Sequence, residues 1–225
     1  MKNIIISGAS LIALAASGPA LAQSVSELDQ TGNGNGATVM QTGSNTSDID
    51  QDGNDNVATA TQNGSGNSSI IDQDSLGGGA FVTQTGTDNT SKIKQADGST
   101  QNTLGLIQDP ESTVIQSGNN NDSTVDQNAV APGYNLVANI SQSVGDNVST
   151  ANQDALGPNF SGSLRLTVTQ NGAADSIVNQ TAANANARGL QAIVTQADSD
   201  STINQLATGW AANNLMARVE QQSGS

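Results

Sequence analysis

The sequence predicts an all-β fold: a β-solenoid with two short strands per repeat, about eight stacked repeats, and two facing parallel sheets. Three observations carry that reading. A glutamine recurs at a fixed interval with an asparagine between; the residue two positions before each glutamine is apolar; and the segments between are rich in glycine, asparagine and aspartate.

The interval is a glutamine, four residues, an asparagine, five residues and a second glutamine. It occurs at Gln30, Asn35 and Gln41; at Gln51, Asn56 and Gln62; at Gln62, Asn67 and Gln73; at Gln84, Asn89 and Gln95; at Gln116, Asn121 and Gln127; and at Gln142, Asn147 and Gln153. Further glutamines follow with looser spacing at Gln170, Gln180, Gln196, Gln205 and Gln221. Self-similarity on this scale marks a stacked architecture.

The residues before each glutamine set the secondary structure. Two positions upstream stand Leu28, Val39, Ile49, Ala60, Ile71, Val82, Ile93, Leu106, Val114, Val125, Ile140, Ala151, Val168, Val178, Val194, Ile203 and Val219. Four positions upstream the residue is small or apolar, as at Ser26, Ala37, Ser47, Ala58, Ser69, Ala80 and Ser91. Alternation of period two with β-branched residues at its centre is a strand pattern. Between strands, TGNGN, GNDN, NGSGN and TGTDN supply residues that accept positive φ.

Two strand types alternate. One carries serine, as in SDIDQ, SIIDQ and STVDQ; the other carries alanine, as in ATVMQ and ATATQ. One of each makes a repeat of about 21 or 22 residues up to Gln95, and the later repeats are longer, with the extra length falling after the serine-type strand. Between Gln95 and Gln127 both LGLIQ, ending at Gln108, and STVIQ, ending at Gln116, compete for one strand position.

One strand pair of this composition cannot bury its apolar row, so the repeats must stack. Stacking places like over like at about 4.8 Å, glutamine over glutamine and asparagine over asparagine, with side-chain amides bonded along the stack. The asparagines are expected to close the turn side of the core and the glutamines the other. Eight layers make a rod on the order of 38 Å long. Strand pattern begins close to Gln23 and recurs near the last residue, which predicts sticky ends and head-to-tail growth.

The first 22 residues read differently. MKNIIISGASLIALAASGPALA has one cation, an apolar run and Ala20-Leu21-Ala22 in the small-x-small pattern of a cleavage site. It is expected to be a secretory signal, residues 1–22, too short to span a bilayer, followed by a repeat domain over residues 23–225.

Composition excludes several function classes. The chain has no cysteine and no histidine, which rules out thiolate and imidazole metal sites, Ser-His-Asp triads and Cys-His nucleophiles. Aromatic residues make up 2 % of it, and twenty acidic residues face six basic ones. All charges from Gln23 to Ser91 are negative, so no basic patch exists there for nucleic acid. No cofactor or metal is expected, and the carboxylates have no base to pair with, so no enzyme is expected either.

The serine-to-glutamine strands, the Gly/Asn/Asp turns, the leader and the lack of cysteine resemble the curlins, the subunits of bacterial curli fibres. The resemblance spans nearly the whole chain after the leader. It implies a functional amyloid: a subunit that passes unfolded through the periplasm and an outer-membrane export pore, then forms an extracellular fibre, or pilus, for cell adhesion and biofilm matrix. Implied partners are other copies of the chain, a curli-type nucleator, the export pore and chaperones; no membrane-spanning segment is implied. The family's amyloid core would correspond to the inward Ser, apolar, Gln and Asn positions above.

Asp29, Asp50 and Asp72 precede the glutamines of serine-type strands, joined by Asp52 and Asp74 just after. Stacked, they form a column of like charges that raise one another's pKa, a candidate brake on assembly released by acid or divalent cations. A solvated, solubilising edge is the plainer reading. Outward threonines at Thr61, Thr83, Thr169 and Thr195, interrupted at Ile107 and Ser141, resemble an ice-binding row. The rival to a fibre subunit is therefore a monomeric secreted solenoid that binds ice, calcium or polysaccharide on a flat face. The nine-residue repeat of a calcium β-roll is absent.

Overall fold

The computed structural model describes residues 5–7, 11–16, 23–97, 111–129, 134–156, 162–183, 190–197, 200–208 and 216–221. They form eighteen strands in two nine-stranded sheets. One sheet, called A, holds β1 (Ile5–Ser7), β3 (Val25–Thr31), β5 (Thr46–Asn54), β7 (Ser68–Leu76), β9 (Thr90–Asp97), β11 (Asp122–Ala129), β13 (Val148–Leu156), β15 (Asp175–Ala183) and β17 (Ser201–Thr208). The other, B, holds β2 (Leu11–Ala16), β4 (Gly36–Thr42), β6 (Val57–Ser65), β8 (Gly79–Thr87), β10 (Glu111–Asn119), β12 (Tyr134–Ser143), β14 (Gly162–Asn171), β16 (Leu190–Gln196) and β18 (Met216–Gln221).

Successive strands alternate between sheets, and every pairing within a sheet is parallel and in register. Parallel neighbours cannot be joined by a hairpin, so each connection crosses to the facing sheet and the chain winds as a two-sided solenoid. From β3 onward this gives eight layers, as the periodicity predicts.

The core has two main apolar columns, one per sheet, beside a smaller column in sheet B of Ala37, Ala58, Ala80, Ala138, Leu166 and Ala192. In sheet A the main column runs through Leu28, Ile49, Ile71, Ile93, Val125, Ala151, Val178 and Ile203; in sheet B through Val39, Ala60, Val82, Val114, Ile140, Val168 and Val194, all buried, with Val219 partly buried against them. Each fully buried Val or Ile contributes roughly 1.5–3 kcal/mol. Where the sheet A column shrinks to Ala151, the same layer places a buried leucine, Leu166, where most sheet B strands have alanine. Volume lost at one position is returned at its neighbour.

The structure decides between the two competing strands. STVIQ is β10, with Ser112 stacked between Ala80 and Ala138 in an alanine column; Gln108 lies outside the described residues. A serine in the alanine place is what blurred the alternation.

Residues expected to be a leader also carry strands. β1 lies along β3, with Ile6 beside Gln30, and β2 along β4, with Leu14 beside Val39. An apolar segment next to an unfilled strand edge satisfies that edge's backbone groups.

Candidate functional site

The feature that repeats through the molecule is a pair of glutamine ladders. Sheet A aligns Gln30, Gln51, Gln73, Gln95, Gln127, Gln153, Gln180 and Gln205. Sheet B aligns Gln41, Gln62, Gln84, Gln116, Gln142, Gln170, Gln196 and Gln221, the last by backbone register.

An amide buried in a thin core must have its donors and acceptor met. Through the middle layers the glutamines meet this requirement in two directions, whereas Gln180 Oε1 and Gln205 Nε2 in the last layers of sheet A have no partner. The Nε2 donates along the stack to the Oε1 of the next layer, as from Gln41 to Gln62, Gln62 to Gln84, and Gln73 to Gln95, each at 2.8 Å. The second N–H of the same group crosses the core to the backbone carbonyl that opens the facing strand: Gln62 to Thr46, Gln84 to Ser68, Gln116 to Thr90 and Gln142 to Asp122, at 2.8–2.9 Å. The ladders therefore tie layer to layer and sheet to sheet.

Asparagines form a second set of columns at the turns. Asn45, Asn67, Asn89, Asn121 and Asn147 line the turn from sheet B back to sheet A, each Nδ2 after the first donating to the Oδ1 of the layer before it at 2.7–3.0 Å. Asn35 and Asn56 occupy the opposite turn, where the Asn56 amide N–H donates to Asn35 Oδ1 and the column ends at Gly78. The expectation that asparagines close one side and glutamines the other is thus corrected. The strands run in opposite directions across the core, so each turn holds one glutamine ladder beside one set of asparagines. Asn45 escaped the interval because it stands four residues after Gln41 instead of five.

Some turn positions leave no room for a side chain. Gly64 has φ of +123°, and a Cβ there would sit 1.8 Å from the Gly86 carbonyl oxygen in the next layer. The same column runs from Gly43 through Gly64, Gly86 and Gly118 to Val144, a non-glycine residue at φ of 82°.

The acidic residues gather on the outer face of sheet A. Asp29, Asp50 and Asp72 stack in one column, which continues with Lys94, and Asp52 with Asp74 form another. A third column pairs Glu27 with Asp48, which sequence reading passed over. Partial burial, then the charges of Asp29, Asp72, Asp48 and Asp52, raise the pKa of Asp50 above its ordinary value. Partial burial, then Glu27 and Asp72, raises Asp48; burial and Asp126 raise Asp154.

The outer face of sheet B is nearly neutral over the early layers. One of its columns reads Met40, Thr61, Thr83, Ile115, Ser141, Thr169, Thr195 and Glu220. Ile115, not Ile107, interrupts the threonines, because β10 ends its inward pattern at Gln116. Ile107 itself lies outside the described residues.

Among the described residues no group of side chains has the make-up of a metal site, and no helix is long and apolar enough to cross a membrane. A short periodic unit of Ser-x-Ile-x-Gln strands, bonded amide columns and Asx/Gly turns is the recurring object here. Residues 44–74 match the curlin associated repeat. That span holds β5, the turn through Asn56, β6, the turn through Asn67 and most of β7, one full circuit of the curlin repeat with its return to sheet A. The resemblance to curlins rests on that match; the strands of the other layers stack in the same register. No curated protein and no solved structure matches the chain.

Proposed function

We propose that the chain is a structural subunit of an extracellular, curli-like amyloid fibre that serves cell adhesion and biofilm matrix, assembling head to tail by strand stacking. The observation that carries this is the in-register ladder of strands, which among the described residues ends at strands with a neighbour on one side only: β17 and β18 at one end, β1 and β2 at the other. Unpaired edge groups template further strands. Residues 1–22 act as a secretory leader whose removal bares β3 and β4. The ladder of glutamines and turn asparagines is the amyloid core. The Asp29, Asp50, Asp52, Asp72 and Asp74 face, with Glu27 and Asp48, slows assembly while it is fully charged. A nucleator, an export pore and chaperones are its partners, as for curli subunits.

The test is assembly of the chain from Gln23 onward, diluted out of denaturant, followed by amyloid-dye fluorescence and fibre diffraction. Fibres with reflections near 4.7 and 10 Å support the proposal. A folded, dye-negative monomer stable for days would replace it with a solenoid that binds a ligand on its flat face.

A further inference from the structure

We infer that copies join end to end in a single register, with Asn204 of one copy over Asp29 of the next. The inference rests on the fibre reading above and adds to it which residues meet and why growth has one polarity.

The outer column of sheet A that starts as Asp29, Asp50 and Asp72 finishes as Asn152, Asn179 and Asn204. In its last layers the amides are bonded in one direction: Asn152 Nδ2 donates to Asn179 Oδ1 at 2.9 Å, and Asn179 Nδ2 to Asn204 Oδ1 at 3.0 Å. Continued by one layer, that direction points Asn204 Nδ2 at the Asp29 carboxylate of the incoming copy. A neutral donor on a carboxylate makes a charge-assisted hydrogen bond.

The buried face agrees. Gln205 is 6 % exposed, and its Nε2 has no partner within the molecule. In sheet A the Nε2 groups shown bonded to a glutamine, as far as Gln127 to Gln153, all point toward this end, so an acceptor in the next layer continues their direction, although Gln180 Oε1 has no partner. A carbonyl oxygen has two lone pairs, and Gln30 Oε1 of the incoming copy stands at the required position. The same shift sets Ser201 over Ser26, Ile203 over Leu28, Ala217 over Ala37, Val219 over Val39 and Gln221 over Gln41, preserving each column.

Charge excludes the reverse joint. The first layer presents Glu27 and Asp29, with Asp48 and Asp50 directly behind them, so two such ends repel; the last layer presents Thr202 and Asn204 at those columns. The first-layer edge already accepts parallel strands, since β1 and β2 lie on it. The joint therefore needs residues 1–22 gone. Among the residues whose side chains are described, the apolar cluster runs from Leu28 to Val219, and the chain from Gln23 keeps all of it.

The sequence has no cysteine, which makes disulfide mapping clean. In the chain from Gln23, Asn204→Cys with Asp29→Cys, oxidised after assembly by an added two-electron thiol oxidant, is expected to link copies into a ladder on a non-reducing gel that collapses to single chains on reduction. Asn204→Cys with Asp50→Cys, one layer further off, is expected not to. Asp50→Cys with Asp72→Cys, adjacent layers of one column, is the internal control for bridging geometry, which needs Cα atoms within about 7 Å. In parallel, Asn204→Asp keeps the acceptor for Asn179 but sets carboxylate on carboxylate at the joint. It is expected to raise the monomer left at equilibrium about fivefold, and Asp29→Asn in the same chain is expected to restore it. Fibres in which Asn204→Asp assembles as the parent does, or in which the offset pair links instead, overturn the register and leave the fibre reading intact. A parent chain that forms no fibre overturns the fibre reading itself.

Discussion

Replacing Gln62 by leucine isolates what the glutamine ladder contributes. Gln62 is 1 % exposed; its Nε2 donates to Gln84 Oε1 and to the Thr46 carbonyl, and its Oε1 accepts from Gln41 Nε2. Leucine fills a similar volume, so the change is chiefly the loss of three hydrogen bonds. Gln84 Oε1 loses its donor in a buried site, and Gln41 Nε2 keeps only its 3.3 Å bond to the Val25 carbonyl. Stranding a buried polar group costs about 1–3 kcal/mol. Two such groups, less the gain from leucine's greater apolarity, leave a net cost of about 3 kcal/mol. The assay is the concentration of soluble chain in equilibrium with fibres, which should rise about a hundredfold. Thr61→Val next door, on the outer face, should change it less than about threefold. Gln62→Glu separates hydrogen bonding from apolarity, because a carboxylate accepts from Gln41 but cannot donate to Gln84 until protonated, so its cost should fall on acidification. A Gln62→Leu fibre as insoluble as the parent would refute the reasoning: the ladder's bonds would then do no more than offset the burial of the amides.

Three further outcomes are expected. Asp48 and Asp50 hold their protons more tightly when folded than their ordinary value of 3.8 implies, so the folded state gains stability as pH falls from neutral toward 3.8; the gain is complete below it and is lost as pH rises through the folded-state pKa. The lag before fibre growth should shorten over that range, and Asp50→Asn should flatten the dependence; an unchanged lag between pH 7 and about 4.5 refutes the brake. Gly64→Ala forces a Cβ against the Gly86 carbonyl and should abolish or strongly delay assembly, as scored by dye fluorescence, whereas Gly36→Ala, with open space around it, should not. Val144→Gly should stabilise the fibre by about 1 kcal/mol, read as a lower residual soluble concentration, because Val144 is exposed and β-branched at positive φ.

Most of the inner face could be read from the sequence because stacking imposes one rule on every layer: position two before the glutamine must be apolar, as Ile49, Ile71 and Ile93 are. The rule fails where one residue departs without cost. Ser112 fits an alanine column because the two side chains are nearly alike in size, and its hydroxyl donates to Gln127 Oε1 at 2.8 Å, so STVIQ reads as the wrong strand type. Asn45 keeps its place in the column although its turn is one residue shorter, and a fixed interval cannot see that. The bonds from each glutamine to the facing strand's carbonyl depend on how two antiparallel-running sheets are offset, which no linear spacing encodes. The acidic face was half visible: the Asp29 column sits beside a conspicuous glutamine, whereas Glu27 and Asp48 emerge only when the layers are superposed.

From β9 onward, the chain between a sheet A strand and the next sheet B strand lengthens to include residues 98–110, 130–133, 157–161, 184–189 and 209–215, while the return connections stay short. Connections longer than four residues, from β4 onward, are thus confined to one border of the ribbon. Peptides grafted there would be carried in a single file along a polymer of these units, at a density set by the layer spacing, without altering the pitch. The other border tolerates only small changes: from β4 on its connections hold two to four residues, and Asn45 keeps its place in the asparagine column on a turn one residue shorter.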